Sequence, residues 1–329
     1  MTIPAVSRYA PWGPTSARHR RHVLDLDDFS SDEIQAVLDN AVSMKEILGR
    51  SVPQVPILRG KTVVNIFYEE STRTRMSFEL AARTLSASVS SMTAKGSSIE
   101  KGESLIDTIR TIQALGADII VMRHHESGAP YLAAQHFKGS IINAGDGRHA
   151  HPSQALLDLF TIRERLGRLA GLNIVIVGDI IHSRVARSDI WGMLRCGANV
   201  TLCGPSTLIG DTTMWQATFP NLRISYTLDD LLPDTDVLMA LRIQKERQQA
   251  GLLPSLREYS NDYGLTQERL DRMPAHAIVM HPGPMNEGVE IMPEAATSPR
   301  SVIEAQVTNG VAVRMALLYR LSGEPTASN

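Results

Sequence analysis

Residues 61–85 read K-T-V-V-N-I-F-Y-E-E-S-T-R-T-R-M-S-F-E-L-A-A-R-T-L, and their pattern changes midway. The β-branched and aromatic run at 62–67 predicts a strand. From Thr72 the apolar residues fall at helical spacing, which predicts a helix over 72–85. At the junction, Ser71, Thr72, Arg73, Thr74 and Arg75 put three hydroxyls and two guanidiniums on a helix start. Hydrogen-bond donors, positive charge and the helix dipole coincide there, which suits a phosphate. Taken alone, the segment is equally well read as a capped, solvated first turn in which Arg75 pairs with Glu79.

The same strand-then-helix rhythm extends outward in both directions. Ser30-x-x-Glu33 is a capping box that opens an amphipathic helix running to about Leu48. Residues 88–92, 118–122 and 140–143 read as strands around a helix over 105–115. A second set follows at 173–177, 199–203, 223–226, 236–241 and 277–280, again between helices. Such alternation predicts an α/β fold made of two doubly wound parallel-sheet domains. The helical pattern at 152–166 lies between the two sets and is expected to bridge them. The last one, 302–321, places Ile303, Val307, Val311, Met315 and Leu318 on one face and is expected to return to the first domain. The expected division is a tail at 1–21, a first domain of 22–151 with 303–329, and a second of 152–302.

Composition narrows the chemistry. The chain has 329 residues, enough for two cores, and a formal net charge of −2. No basic field favours nucleic acid or an anionic membrane, so an anion must meet a local cluster. Two cysteines, Cys196 and Cys203, are too few for a disulfide framework and suit a reducing cytoplasm. The N-terminal stretch is rich in Pro and Arg without an apolar run, and no window reaches the length of a membrane span. The G-x-G-x-x-G, Walker, H-E-x-x-H and G-x-S-x-G patterns are all missing. Neither His149 with His151 nor His124 with His125 has companions at metal-ligand spacing. No metal and no cofactor is expected.

Ligands of open α/β sheets sit beyond the carboxyl ends of the strands, so the residues there carry the argument. Arg123 and His124 follow the strand at 118–122. A glycine-rich loop, Ala144-Gly145-Asp146-Gly147, leads to His151 and Gln154 on the first turn of a helix whose N1 residue is expected to be Pro152. In the second half Ser183-Arg184 and Arg242-Ile243-Gln244 follow strands, where a surface ion pair is the commoner fate of an arginine. His281-Pro282-Gly283-Pro284 predicts a rigid turn. The loop 94–103, with Ser97 and Lys101, reads from composition as an ordinary solvated loop. Arginines, hydroxyls and one histidine remain as a metal-free anion site.

Eight strings in order carry a resemblance: S-T-R-T-R-x-S-F-E at Ser71, G-S-S-x-x-K-G-E-S at Gly96, M-R-H at Met122, N-A-G-D-G at Asn143, H-P-S-Q at His151, V-G-D at Val177 with S-R at Ser183, R-x-Q-K-E-R at Arg242, and H-P-G-P at His281. The chain resembles the transcarbamoylase family over nearly all of residues 22–321. Lys101 and the H-P-G-P turn resemble the aspartate branch, whereas ornithine enzymes carry a cysteine in the corresponding turn and lack that lysine. The resemblance implies transfer of a carbamoyl group from carbamoyl phosphate to the α-amino group of L-aspartate, a step of pyrimidine biosynthesis. It implies that Ser71, Thr72, Arg73, Thr74, Ser97, Arg123, His151, Gln154, Gly283 and Pro284 hold carbamoyl phosphate. It implies that Lys101, Arg184, Arg242 and Gln244 hold aspartate, with Arg73, Thr74, Lys101, Arg123 and His151 in catalysis. It further implies a homotrimer in which Ser97 and Lys101 reach a neighbour's site; regulatory chains or other pyrimidine-pathway enzymes stay open as partners. Some family members carry leucine at Gly283, a change expected to cost little if the turn acts through backbone carbonyls. The polar segment 245–263 is the expected moving loop. An ornithine enzyme, a dehydrogenase and a non-catalytic subunit of the same fold are the alternatives.

Overall fold

The computed structural model describes residues 20–93, 102–244 and 255–323. Its first sheet contains β1 (Thr62–Phe67), β2 (Ser88–Thr93), β3 (Ile119–His124) and β4 (Ser140–Asp146) in the order β2-β1-β3-β4, all parallel. The second contains β5 (Asn173–Val177), β6 (Asn199–Cys203), β7 (Leu222–Ser225), β8 (Val237–Ala240) and β9 (Ile278–Met280) in the order β7-β6-β5-β8-β9, also parallel. Strand order reverses at β1/β3 and at β5/β8, where an open sheet offers a crevice for ligands.

The helices are α1 (Ser31–Leu48), α2 (Thr72–Thr84), α3 (Leu105–Ala114), α4 (Ala129–His136), α5 (Pro152–Leu166), α6 (Arg184–Arg195), the short α7 (Ser206–Ile209) and α8 (Thr213–Thr218), α9 (Leu256–Tyr263), α10 (Gln267–Arg272), the short α11 (Pro293–Ala296) and α12 (Ile303–Leu321). Both reciprocal bonds of the capping box start α1: Glu33 N donates to Ser30 Oγ at 3.1 Å and Ser30 N to Glu33 Oε2 at 2.9 Å. Pro152 is the first residue of α5 and His151 its N-cap.

One hydrophobic core runs through both units, from Val63 and Ile142 through Leu156 and Phe160 of α5 to Ile174 and Ile176. Helix α12 packs on α1, α2 and α5, so the last helix does return to the helices around the first sheet. Its buried face differs from the expected one. Val307 is exposed, while Gln306, Asn309 and Arg314 are buried. The reason is contact with polar partners: Gln306 and Asn309 donate into α5, at Asp158 and Thr161, and Arg314 donates to Ser77 of α2. No described helix is long and apolar enough to cross a membrane.

Candidate active site

The carboxyl ends of β1, β3, β5, β8 and β9 and the start of α5 open into one cavity of about 610 Å³. Ser71, Thr72, Arg73, Thr74, Arg123, His151, Gln154, Arg184, Arg242, Gln244, Gly283 and Pro284 all line it. Ser97 and Lys101 lie outside the described residues. Five arginines (Arg73, Arg123, Arg184, Arg242 and Arg314) face two glutamates, Glu69 and Glu70, so the wall is cationic.

Local sequence explains how each side chain arrives. β1 ends at Phe67, and α2 begins at Thr72, so Arg73 and Thr74 occupy its first turn, where backbone N–H groups are free of intrahelical acceptors. Arg123 extends from β3 with its Nε 3.2 Å from Glu69 Oε2 and its Nη1 donating to Ala144 O at 3.3 Å. Arg184, the first residue of α6, is buried and donates through Nη2 to the same Glu69 oxygen at 2.6 Å. Both guanidiniums lie on the backbone of Gly145, where an added Cβ would meet Arg184 at 3.1 Å and Arg123 at 3.2 Å. The glycine-rich loop is therefore a bed for two arginines.

His151 is buried, and burial lowers its imidazole well below the usual range, helped by Arg123, Arg184 and Arg314. A neutral imidazole can donate one N–H but carries no charge of its own. Its backbone N donates to Ser188 Oγ of α6 at 2.9 Å, and that hydroxyl reaches Asp25 Oδ1 at 3.2 Å. His149 is taken up by Asp146, Nδ1 to Oδ2 at 3.1 Å, and among the described residues no group of three or more His, Cys, Asp or Glu could hold a metal.

On the second sheet, Asp179 at the end of β5 receives Gln244 N at 3.4 Å and meets His182 Nδ1 at 2.7 Å. The turn after β9 is held by its own histidine: Gly283 N donates to His281 Nδ1 at 2.8 Å. That acceptor role puts the ring proton on Nε2, 3.2 Å from Glu290 Oε1. Gly283 has φ +60°, and a Cβ there would run into the Arg73 guanidinium. A larger residue there would have to displace the flexible end of the Arg73 side chain.

Residue reading alone missed three participants. Glu69 pairs Arg123 with Arg184 across the two sheets; its signal was an acid standing directly before a cationic cluster. Arg314 Nη1 donates to Ser77 Oγ at 2.7 Å, and its signal was a single charge within the otherwise apolar run 310–318. Gln306, which donates to Asp158 and accepts from His281 N at 3.0 Å, left no sequence signal beyond lying near a helix start.

The aspartate/ornithine carbamoyltransferase model for the carbamoyl-P binding domain matches residues 21–164, and that for the Asp/Orn binding domain matches residues 170–321. An aspartate carbamoyltransferase catalytic subunit of Roseiflexus sp. (strain RS-1) is 71% identical over 305 residues, which span 93% of this chain and 96% of that protein. One from Chloroflexus aurantiacus (strain ATCC 29366 / DSM 635 / J-10-fl) is 70% identical over 304 residues, spanning 92% and 99%. Among solved structures, aspartate transcarbamoylase from Trypanosoma cruzi with carbamoyl phosphate and aspartate superposes at a TM-score of 0.84 and 30% identity, covering 93% of this chain and 98% of that one. The M. jannaschii catalytic subunit superposes at 0.81 and 38% identity, covering 92% and 98%. With both family models and these relatives aligned along almost its whole length, the chain belongs to the aspartate/ornithine carbamoyltransferase family.

Proposed function

We propose that this chain transfers the carbamoyl group of carbamoyl phosphate to the α-amino group of L-aspartate, giving N-carbamoyl-L-aspartate and phosphate in de novo pyrimidine biosynthesis. The observation that carries the reading is the convergence of cationic groups from both sheets on one cavity. Three anionic groups, one phosphate and two carboxylates, must be held there against mutual repulsion.

In this reading the amine lone pair attacks the carbamoyl carbon, the bond to the phosphate oxygen breaks, and the amine proton passes to the departing phosphate. No protein nucleophile takes part. Ser71, Thr72 and Arg73 hold the phosphate from the start of α2, with Ser97 and Lys101 joining from elsewhere. Thr74, Arg123 and His151 donate to the oxygen that gains charge, where losing one donor typically costs about 10²- to 10³-fold in rate. The lowered basicity of His151 supports a donor and argues against a general base. Gln154 and the backbone of Gly283 and Pro284 hold the carbamoyl amide, and Arg184, Arg242 and Gln244 with Lys101 take the aspartate carboxylates. Holding both reactants in line can supply about 7–11 kcal/mol of the barrier.

The assay that decides substrate class supplies carbamoyl phosphate with either amine. Turnover with aspartate and none with ornithine is expected; the reverse would overturn the assignment.

The proposed carbamoyl phosphate-binding unit is 22–151 with 303–329, and 152–302 is the aspartate-binding unit. A homotrimer with shared sites completes the proposal, in the cytoplasm, where the buried free thiols of Cys196 and Cys203 would stay reduced. Mixing inactive Arg73→Ala and Lys101→Gln chains tests the sharing. Restored activity is expected if Lys101 crosses to a neighbouring site, and none if it serves its own.

A further inference from the structure

Behind Gln154 lies a pair of carboxyls that the proposed ligands do not touch. Asp158 follows Gln154 by one turn of α5, and Asp189 lies on α6; both are 0% exposed. α5 packs on α6, which sets the buried Asp189 carboxyl against that of Asp158. Asp158 Oδ1 accepts from Gln306 Nε2 at 2.6 Å and from Gln154 Nε2 at 3.1 Å, and Asp158 Oδ2 lies 3.3 Å from the same Gln154 nitrogen. Neither oxygen of Asp189 receives a hydrogen bond from a described residue.

Two adjacent, fully buried carboxylates cannot both stay ionised, and a proton between them turns repulsion into a strong hydrogen bond. Burial raises both groups, Asp189 further than Asp158, whose charge the two glutamine donors and Arg314 favour. The groups facing the pair decide where the proton sits. Arg314 from α12 favours charge on Asp158. His151 at the head of α5 is neutral, Arg184 on α6 is engaged with Glu69, and Asp25 meets α6 at Ser188. Gln154 and Gln306 are uncharged donors to Asp158. The proton therefore belongs to Asp189 and the charge to Asp158.

An anionic Asp158 can only accept, so it binds the NH₂ end of each amide that reaches it. That leaves the carbonyl oxygen of Gln154 toward the cavity. It likewise leaves Gln306 Oε1 to accept from His281 N at 3.0 Å, which anchors the turn at 281–284. We propose that Asp158 and Asp189 hold one proton between them and act as positioning residues, turning the Gln154 carbonyl oxygen toward the amide nitrogen of the carbamoyl group. This rests on the assignment of Gln154 to carbamoyl phosphate made above. Loss of the shared proton at alkaline pH puts two charges side by side and loosens both amides.

The test is calorimetric binding of phosphonoacetamide, which carries the amide, and of inorganic phosphate, which does not, from pH 6 to 9. In the wild type, phosphonoacetamide binding is expected to weaken on the alkaline side while phosphate binding does not follow it. Asp189→Asn keeps a donor to Asp158 but cannot ionise, so its alkaline loss is expected to move up by about a pH unit or more. Asp158→Asn can donate as well as accept, and is expected to weaken phosphonoacetamide roughly 10- to 100-fold while changing phosphate little. Identical pH profiles for wild type and Asp189→Asn would overturn the shared proton. Equal losses for both ligands in Asp158→Asn would reduce its role to general structure and overturn the positioning. Gln154→Ala separates the layers: if it leaves phosphonoacetamide binding intact, the assignment of Gln154 fails and takes the positioning with it. If it weakens binding while Asp189→Asn has no effect on the profile, the carboxyl pair alone fails. Should Asp158→Asn not fold, infrared difference spectra still decide. A carbonyl band of a protonated carboxyl is expected in the wild type at neutral pH and not in Asp189→Asn; its absence from the wild type refutes the pair.

Discussion

Glu69 stands between two guanidiniums that come from different sheets, 3.2 Å from Arg123 and 2.6 Å from Arg184. One partly exposed carboxylate thus keeps two adjacent cations from repelling each other and sets both against the cavity. A comparable close fit occurs at Gly283, where φ is positive and an added Cβ would push the Arg73 guanidinium aside. Gly283→Ala is expected to cost about 1–2 kcal/mol of stability from the left-handed backbone alone. It should also displace Arg73 and raise KM for carbamoyl phosphate, while KM for aspartate changes less. Steady-state kinetics beside a denaturant melt checks this, and an unchanged KM for carbamoyl phosphate would show that Arg73 can swing away freely. At this scale the motif residues were legible because guanidinium and hydroxyl clusters have few cheap structural explanations. Their restraints were not, because Glu69 and Gln306 are ordinary residues until their neighbours are known.

Elements were most legible where local and tertiary preferences agree. The strands at 62–67, 173–177 and 199–203 match their expected ends, since each is rich in β-branched residues and the second and third stop at a glycine. β4 extends from the expected 143 to Asp146 because its backbone continues to pair with β3 past an irregularity, His124 opposite Asp146. α4 escaped notice, as A-P-Y-L-A-A-Q-H has little polar face and starts after Gly128. The segment 245–263 was expected to be one mobile loop. Its described end is the helix α9, with Tyr259 and Tyr263 buried, and residues 245–254 lie outside the described residues. The cap of α1 supplies an element-scale prediction. Ser30→Ala removes one side of the reciprocal cap and is expected to cost about 1 kcal/mol. Because no residue of α1 lines the cavity, KM values should stay put; urea melts beside kinetics would expose any coupling.

On the scale of the whole molecule, the cavity joins two sheets whose ends supply different groups: the first Arg73, Thr74 and Arg123, the second Arg184, Arg242 and Gln244. Two anionic substrates bridging these groups should draw the sheets together, so a bisubstrate analogue is expected to slow hydrogen exchange at 72–77 and at 241–244 at once. Slowing at only one of these would mean that the ligand binds one sheet without closure. The sequence by itself determined the period changes, the two runs of parallel strands and the cationic strand ends, because these follow from side-chain pattern over neighbouring residues. Only the tertiary structure decided that Glu69 ties Arg123 to Arg184, that α12 buries a polar face, and that Asp158 meets Asp189. Those contacts join residues up to 237 positions apart, as Arg314 and Ser77 are, and no local pattern encodes which buried polar groups will face each other.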